Sequence, residues 1–361
     1  DSVNNMLPGV QEKCYRTLDD ALHLDQEWYD KNAIDNLSIG NKTFFVAGDM
    51  LITDDDNTYL CLYNKKMYAD NPQLKSKHGD IYKMVYDKKW TYDKFYEMCK
   101  AVSQPDENGK WSNENCIYGN ISEGYVTAIW VNGAGVRTVE KTADDKLMLN
   151  VASDRSTMAF EKVFQIMSDK TNTIRVEEFT DGTGWAKTMD MFINNKGLFM
   201  GATVASLMTI RNSAVEDKVQ YGVLPVPKLD ENQEKYYNGI NSYQSTVMGI
   251  PITNQENFEA TAYLIELLGY YNEGVNRAYY DATLKLQALS DTEDSDMLDF
   301  IFNNRLYDLG AIFDWGGKLI GIYSTVMRSG SNTLISEFES VRDLVQEKMD
   351  ETIAAYSGLF N

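Results

Sequence analysis

The spacing of apolar positions changes repeatedly along this chain, and each change marks a switch between helix and strand. Lys88 to Val102 (KKWTYDKFYEMCKAV) places Tyr92, Phe95, Met98, Cys99 and Val102 on one helix face, with Thr91 as N-cap and Asp93 in the first turn. Ser153 caps a second helix that turns Ala159, Val163, Ile166 and Met167 inward. Trp185 opens a third helix, after a loop over residues 180–184, that closes at Phe192 and Ile193; Trp185 itself reads as a packing residue. Lys196-Gly197 turns the chain, Leu198 to Ala202 reads as a short buried strand, and Tyr221 to Leu224 reads as another, stopped by Pro225 and Pro227. Gly197 and Gly201 are expected to let backbone approach closely.

Elsewhere the pattern is shorter. Lys42 to Val46, Tyr59 to Tyr63, Leu147 to Leu149 and Thr246 to Pro251 predict strands, and the acidic run Asp54-Asp55-Asp56-Asn57 predicts a loop. Thr253-x-x-Glu256 reads as a capping box before a helix with Phe258, Ala262, Ile265 and Leu268 on one side. Residues 290–295 read as an acidic linker, Met297 to Phe302 as helix, and Ile335 to Tyr356 as a terminal helix with Phe338, Val341, Val345 and Met349 facing inward. Helix and strand alternate, which is the grammar of an α/β fold.

At 361 residues the chain has room for two domains, and a formal charge of −20 argues against nucleic acid or an anionic membrane as partner, since both need basic surface. The longest charge-free apolar run, Gly197 to Ile210, is too short to span a bilayer, and Asp1 to Val10 has no signal-peptide pattern. Cys14, Cys61, Cys99 and Cys116 form no C-x-x-C and read as free buried thiols. The N-x-S/T matches at Asn36, Asn41 and Asn120 read as chance. Asp106-Glu107-Asn108-Gly109 begins like a calcium loop, but Ile117 stands where the bidentate glutamate belongs, so a polar turn is expected, with no metal and no other cofactor.

The pairing of K-G-L-F-M-G (Lys196 to Gly201) with Y-G-V-L-P-V-P-K (Tyr221 to Lys228) resembles the second-lobe signature of the extracellular solute-binding proteins of carbohydrate ABC importers, the family that includes the maltose-binding proteins. W-T-Y-D-K-F at Trp90 to Phe95 and the Y-N-K at Tyr63 to Lys65 are similar to that family too. The resemblance implies a two-lobed, type II periplasmic-binding-protein-like α/β fold with crossovers near Tyr63-Asn64, Asn241 to Ser245 and Asn303 to Asp308. It implies a first lobe of residues 1–63 and 245–303 and a second of 64–244 and 304–361. LDQEWYDKNAIDNLSIGNKTFFVAGD (residues 24–49) resembles a mid-lobe passage of the family, so the first lobe is expected to lack its opening portion.

Glu123-Gly124-Tyr125 resembles the family's E-P-Y, with glycine in place of proline, and implies an acid and a tyrosine presented to sugar. The chemistry fits: carboxylate oxygens accept bonds from vicinal hydroxyls, and an aromatic face covers the C–H face of a pyranose. The expected ligand residues are Glu123, Tyr125 and Trp130 from the second lobe, Trp315 from the third crossover, and Asn57 and Thr58 before the first. Ala205-Ser206-Leu207 stands where maltose-binding members carry a tryptophan, which argues for a different ligand. The implied function is capture of a sugar or oligosaccharide by a monomer that delivers it to a membrane permease, outside the cell, as a lipoprotein or in the periplasm.

An enzyme is not expected. His23 and His78 are the only histidines, and neither H-E-x-x-H nor G-x-S-x-G occurs. The alternatives left open are a two-carboxylate glycoside hydrolase or lyase, which 54 acidic residues could always furnish, and a non-transporting cell-surface glycan-binding module.

Overall fold

The computed structural model describes residues 9, 12, 14–289 and 291–357. Its strands are β1 (Tyr59–Asn64), β2 (Tyr118–Ser122), β3 (Val139–Lys141), β4 (Leu147–Leu149), β5 (Thr173–Arg175), β6 (Gly197–Thr203), β7 (Tyr221–Leu224), β8 (Asn238–Gly239) and β9 (Arg305–Leu306). Five of them form one mixed sheet in the order β5-β2-β6-β1-β7. β2 runs parallel to β5 and β6, whereas β1 runs antiparallel to both its neighbours, with Tyr59 opposite Thr203 and Asn64 opposite Tyr221. The strands expected over residues 59–63, 198–202 and 221–224 are therefore β1, β6 and β7.

Helix Tyr92–Val102 packs on β2 and β6, helix Gly184–Ile193 on β5, β2 and β6, and helix Thr292–Phe302 on β7. The predicted face of the first, Tyr92, Phe95, Met98, Cys99 and Val102, is buried in full. Around it the aromatics interlock: Phe95 lies 4.5 Å from Trp130 edge-on and 4.6 Å from Phe199, and Trp90 donates its indole N–H to the Pro225 carbonyl at 2.9 Å. Gly197 is fixed by packing, since a methyl there would sit 2.5 Å from Ile121 Cδ1.

Three segments lie side by side at one margin of this core. Asn241 N–H donates to the Asn57 carbonyl at 2.9 Å, Thr58 bridges Ile240, and β8 pairs with β9. Arg305, in β9, is buried and pairs with Asp30 at 2.8 Å, Asp54 at 3.3 Å and Asp55, while Tyr307 donates its hydroxyl to Asp30 at 2.9 Å. Burial pushes the Asp54 carboxyl well above its usual range and Asp55 up to about 6, with Arg305 pulling both the other way. Beyond this knot a small second core gathers Leu18, Leu22, Tyr29, Val46, Met50, Ile250, Ala262 and Ile265.

Several local expectations are corrected here. Residues 42–46 and 246–251 are not strands; they are extended segments joined by an isolated bridge, Val46 to Met248, and Pro251 bridges Tyr15. The acidic run at 54–57 is a short helix, Thr53–Asp56, because Arg305 lets its carboxylates be buried. Thr253 and Glu256 cap nothing: the helix starts at Phe258 after Asn257, and Leu268 faces solvent. Thr292 to Phe302 is helical throughout, with Asp291 as its N-cap, so the acidic linker is a helix start; Ser290 lies outside the described residues, as do the calls on residues 1–8. Cys14 is exposed, unlike the other three thiols.

Arg305→Met keeps the side-chain length and strands three buried carboxylates without a cation. Stability is expected to fall by about 3–5 kcal/mol, read as a shift of the urea midpoint at pH 7, and the gap to the parent should narrow toward about pH 4 as the carboxyls take up protons. An unchanged midpoint would show that the knot contributes nothing.

Candidate functional site

Because β1 is reversed, its first residue stands at the sheet edge where β2, β5 and β6 end. That edge carries a cavity of about 590 Å³ lined by Tyr59 from β1, Glu123 and Tyr125 after β2, Met200 to Thr203 at the end of β6, Trp185, the turn at Asn241 to Gln244, and Ser324, Thr325 and Arg328. Ligands of α/β sheets bind outside the carboxyl ends of parallel strands, and this cavity lies there.

Glu123 follows directly on β2, and its Oε1 accepts from the Tyr59 hydroxyl at 3.2 Å. Burial pushes its carboxyl up to about 7, aided by nearby Glu177 and opposed by the Tyr59 hydrogen bond and by Arg328. Tyr125 begins the helix Val126–Gly133, with its ring 6.1 Å from Tyr59 and 5.7 Å from Tyr243, and burial raises its hydroxyl to about 12. Gly124 is fixed by what stands beside it. Its N–H donates to Glu177 Oε1 at 2.8 Å, which a proline could not do, and a methyl there would meet Glu177 Oε1 at 2.7 Å and Arg328 Nε at 2.9 Å. Glu177 also accepts from Arg328 Nε at 3.2 Å.

Of the residues expected to touch ligand, Glu123 and Tyr125 come together here and four do not. Trp130 is buried, stacked 5.7 Å from Tyr92: five residues along the helix from Tyr125 is a rotation of about 140°, toward the core. Trp315 is buried as well, stacked 4.8 Å from Phe313, and donates its indole N–H to Thr352 Oγ1 at 2.8 Å beneath the C-terminal helix. Asn57 and Thr58 turn back onto the preceding helix, donating to the Thr53 and Asp54 carbonyls at 2.8 and 2.7 Å.

Two aromatics take their place. Trp185, expected to pack, is 54% exposed on the cavity rim, and Tyr243, which no sequence pattern singled out, is 52% exposed across from Tyr125. Ser206 lines the wall where a tryptophan was missed. A second cavity, about 710 Å³, lies at the opposite end of the sheet around Asn64, Asn71 and Asn195, and no aromatic side chain among the described residues lines it.

Glu123 sets a pH dependence. Between about pH 4.5, its ordinary value, and about 7, the unfolded chain has released a proton that the folded chain still holds, so this group makes stability fall as pH rises through that window. Glu123→Gln cannot titrate. Thermal denaturation from pH 4.5 to 8 is expected to show the parent losing stability relative to the variant across the window; parallel curves would contradict this placement of Glu123.

No family model matches this chain, and neither does any curated protein sequence. Solved structures do match in fold. The sugar-binding protein MalE from the phytopathogen Xanthomonas citri is 12% identical, with a TM-score of 0.60 over 99% of this chain and 84% of that one. An ABC substrate-binding protein from Listeria monocytogenes, solved with cycloalternan, is 10% identical, with a TM-score of 0.58 over 99% and 84%. UgpB from Mycobacterium tuberculosis, solved with glycerophosphocholine, is 12% identical, with a TM-score of 0.58 over 95% and 81%. The chain has the two-lobed α/β fold of the ABC substrate-binding proteins.

Proposed function

We propose that this chain is a solute-binding protein that captures a carbohydrate in the cavity at the end of its sheet and delivers it to the permease of an ABC importer, outside the cell. In this reading the lobes divide as the sequence implies, residues 1–63 and 245–303 against 64–244 and 304–361, except that β1 and the helix Thr292–Phe302 go with the second lobe, to whose strands β6 and β7 they are joined. The observation that carries it is the combination of a carboxylate, Glu123, with the aromatic groups of Tyr125, Trp185 and Tyr243 around one cavity of sugar size. Hydroxyl and amide groups from Thr203, Ser206, Asn241, Gln244, Ser324 and Thr325 add donors and acceptors suited to a polyol. The fold neighbours include proteins solved with cycloalternan and maltotetraose, which supports a sugar as the solute class.

Hydrolysis fits less well. The nearest second carboxylate, Glu177, lies behind the wall rather than in the cavity lining, with its Oε1 held by the Gly124 N–H and by Arg328, so two carboxylates do not flank the space a glycosidic bond would occupy.

Isothermal titration calorimetry against a panel of mono- and oligosaccharides tests the proposal, with mass spectrometry to show the glycan intact afterwards. Trp185→Ala and Tyr243→Ala should each weaken the best ligand by about 1–2 kcal/mol, on the order of tenfold. Trp315→Phe, by contrast, should lower thermal stability and leave affinity alone. Parent affinity in both alanine variants, or cleavage of the glycan, would overturn the reading.

A further inference from the structure

The charges around the cavity do not balance. Two lining side chains can carry charge, Glu123 and Arg328. Arg328 is matched behind the wall by Glu177, whose Oε1 takes both its Nε–H at 3.2 Å and the Gly124 N–H at 2.8 Å. Glu123 has the Tyr59 hydroxyl at 3.2 Å and no ion pair with any lysine or arginine among the described residues. Its carboxyl is thus partly withdrawn from water, holds one hydrogen bond and has no ion pair, the nearby Arg328 being paired with Glu177. Tyr59, Tyr125 and Tyr243 stand in a row beside it, with successive ring centres 6.1 and 5.7 Å apart, and aromatic faces attract positive charge. Withdrawing an unpaired carboxylate from water is unfavourable, and a ligand that brings the missing cation relieves it.

We infer that the ligand class is an amine-bearing sugar, whose ammonium pairs with Glu123 against the tyrosine row while its ring carbons lie on Trp185. The inference rests on the carbohydrate reading of the same cavity. A neutral sugar would satisfy the oxygens of Glu123 and bring no cation to it. An acidic sugar would set like charge against Glu123, and Arg328, the cationic side chain of the lining, already shares its charge with Glu177 through one of its N–H groups.

The test is calorimetry at pH 7.5 with matched sets: glucosamine and galactosamine, their N-acetyl forms and the parent hexoses, each as monosaccharide and as trisaccharide. An amine form should bind at least about tenfold more tightly than both its acetylated and its hydroxyl counterpart, and its affinity should fall as salt is raised from 50 to about 500 mM. Glu123→Gln should remove that preference, so that the amine and hydroxyl forms bind the variant within about threefold of each other. Salt dependence in the parent protein keeps the test independent of how the variant folds. If hydroxyl or acetylated sugars bind as tightly as the amine, the inference fails and the carbohydrate proposal stands. If no glycan of this set or of the wider panel binds, both fail.

Discussion

One reversed strand determines where everything else in this molecule lies. β1 is inserted antiparallel between β6 and β7 with all six residues buried, and its direction brings Tyr59 to the edge where the parallel strands end. Had it run with its neighbours, Asn64 would stand there, and the acid after β2 would face no hydroxyl. Register is held from the far end: Lys65, the next residue, pairs with Asp294 at 2.5 Å and Asp291 at 2.6 Å, and Asp294 also accepts from the Val223 N–H of β7 at 3.0 Å. A slip of one residue would pull those charges apart and turn Tyr59 away from Glu123. Site geometry and sheet stability are thus the same constraint seen from two ends.

Sequence periodicity reported the fold well where burial is two-sided or the helix face is complete, as at Tyr92 to Val102, β6 and β7. It failed where an extended segment is held by single bridges: Phe44, Phe45 and Val46 are buried like strand residues, and nothing local distinguishes a ladder from one bridge to Met248. Charge misled at Asp54 and Asp55, because the arginine that lets them be buried lies about 250 residues further on. Such a pairing leaves no trace in local composition.

The site was legible in part for a similar reason. Glu123 and Tyr125 sit in one short motif after a strand, and a motif fixes its own geometry. Trp130 and Trp315 were drawn in by nearness to that motif or to a crossover, but a helix rotates one into the core and the terminal helix covers the other. Trp185 shares a helix face with Phe192, yet stands about 10 Å nearer the helix start, where it overhangs the sheet edge and meets the cavity. Periodicity could say which face it shares and not where the sheet stops. Gly124 shows the converse: read from sequence as a departure, it is the residue whose N–H and missing side chain accommodate Glu177 and Arg328.

The central claim is that the solute binds where the reversed strand meets the ends of β2 and β6. A crystal structure of the protein with its tightest-binding glycan tests this most directly. The account predicts the sugar ring against Trp185 or Tyr243, with a polar atom within hydrogen-bonding distance of Glu123. Density for the glycan in the cavity around Asn64 and Asn195, with the Glu123 cavity empty, would contradict it.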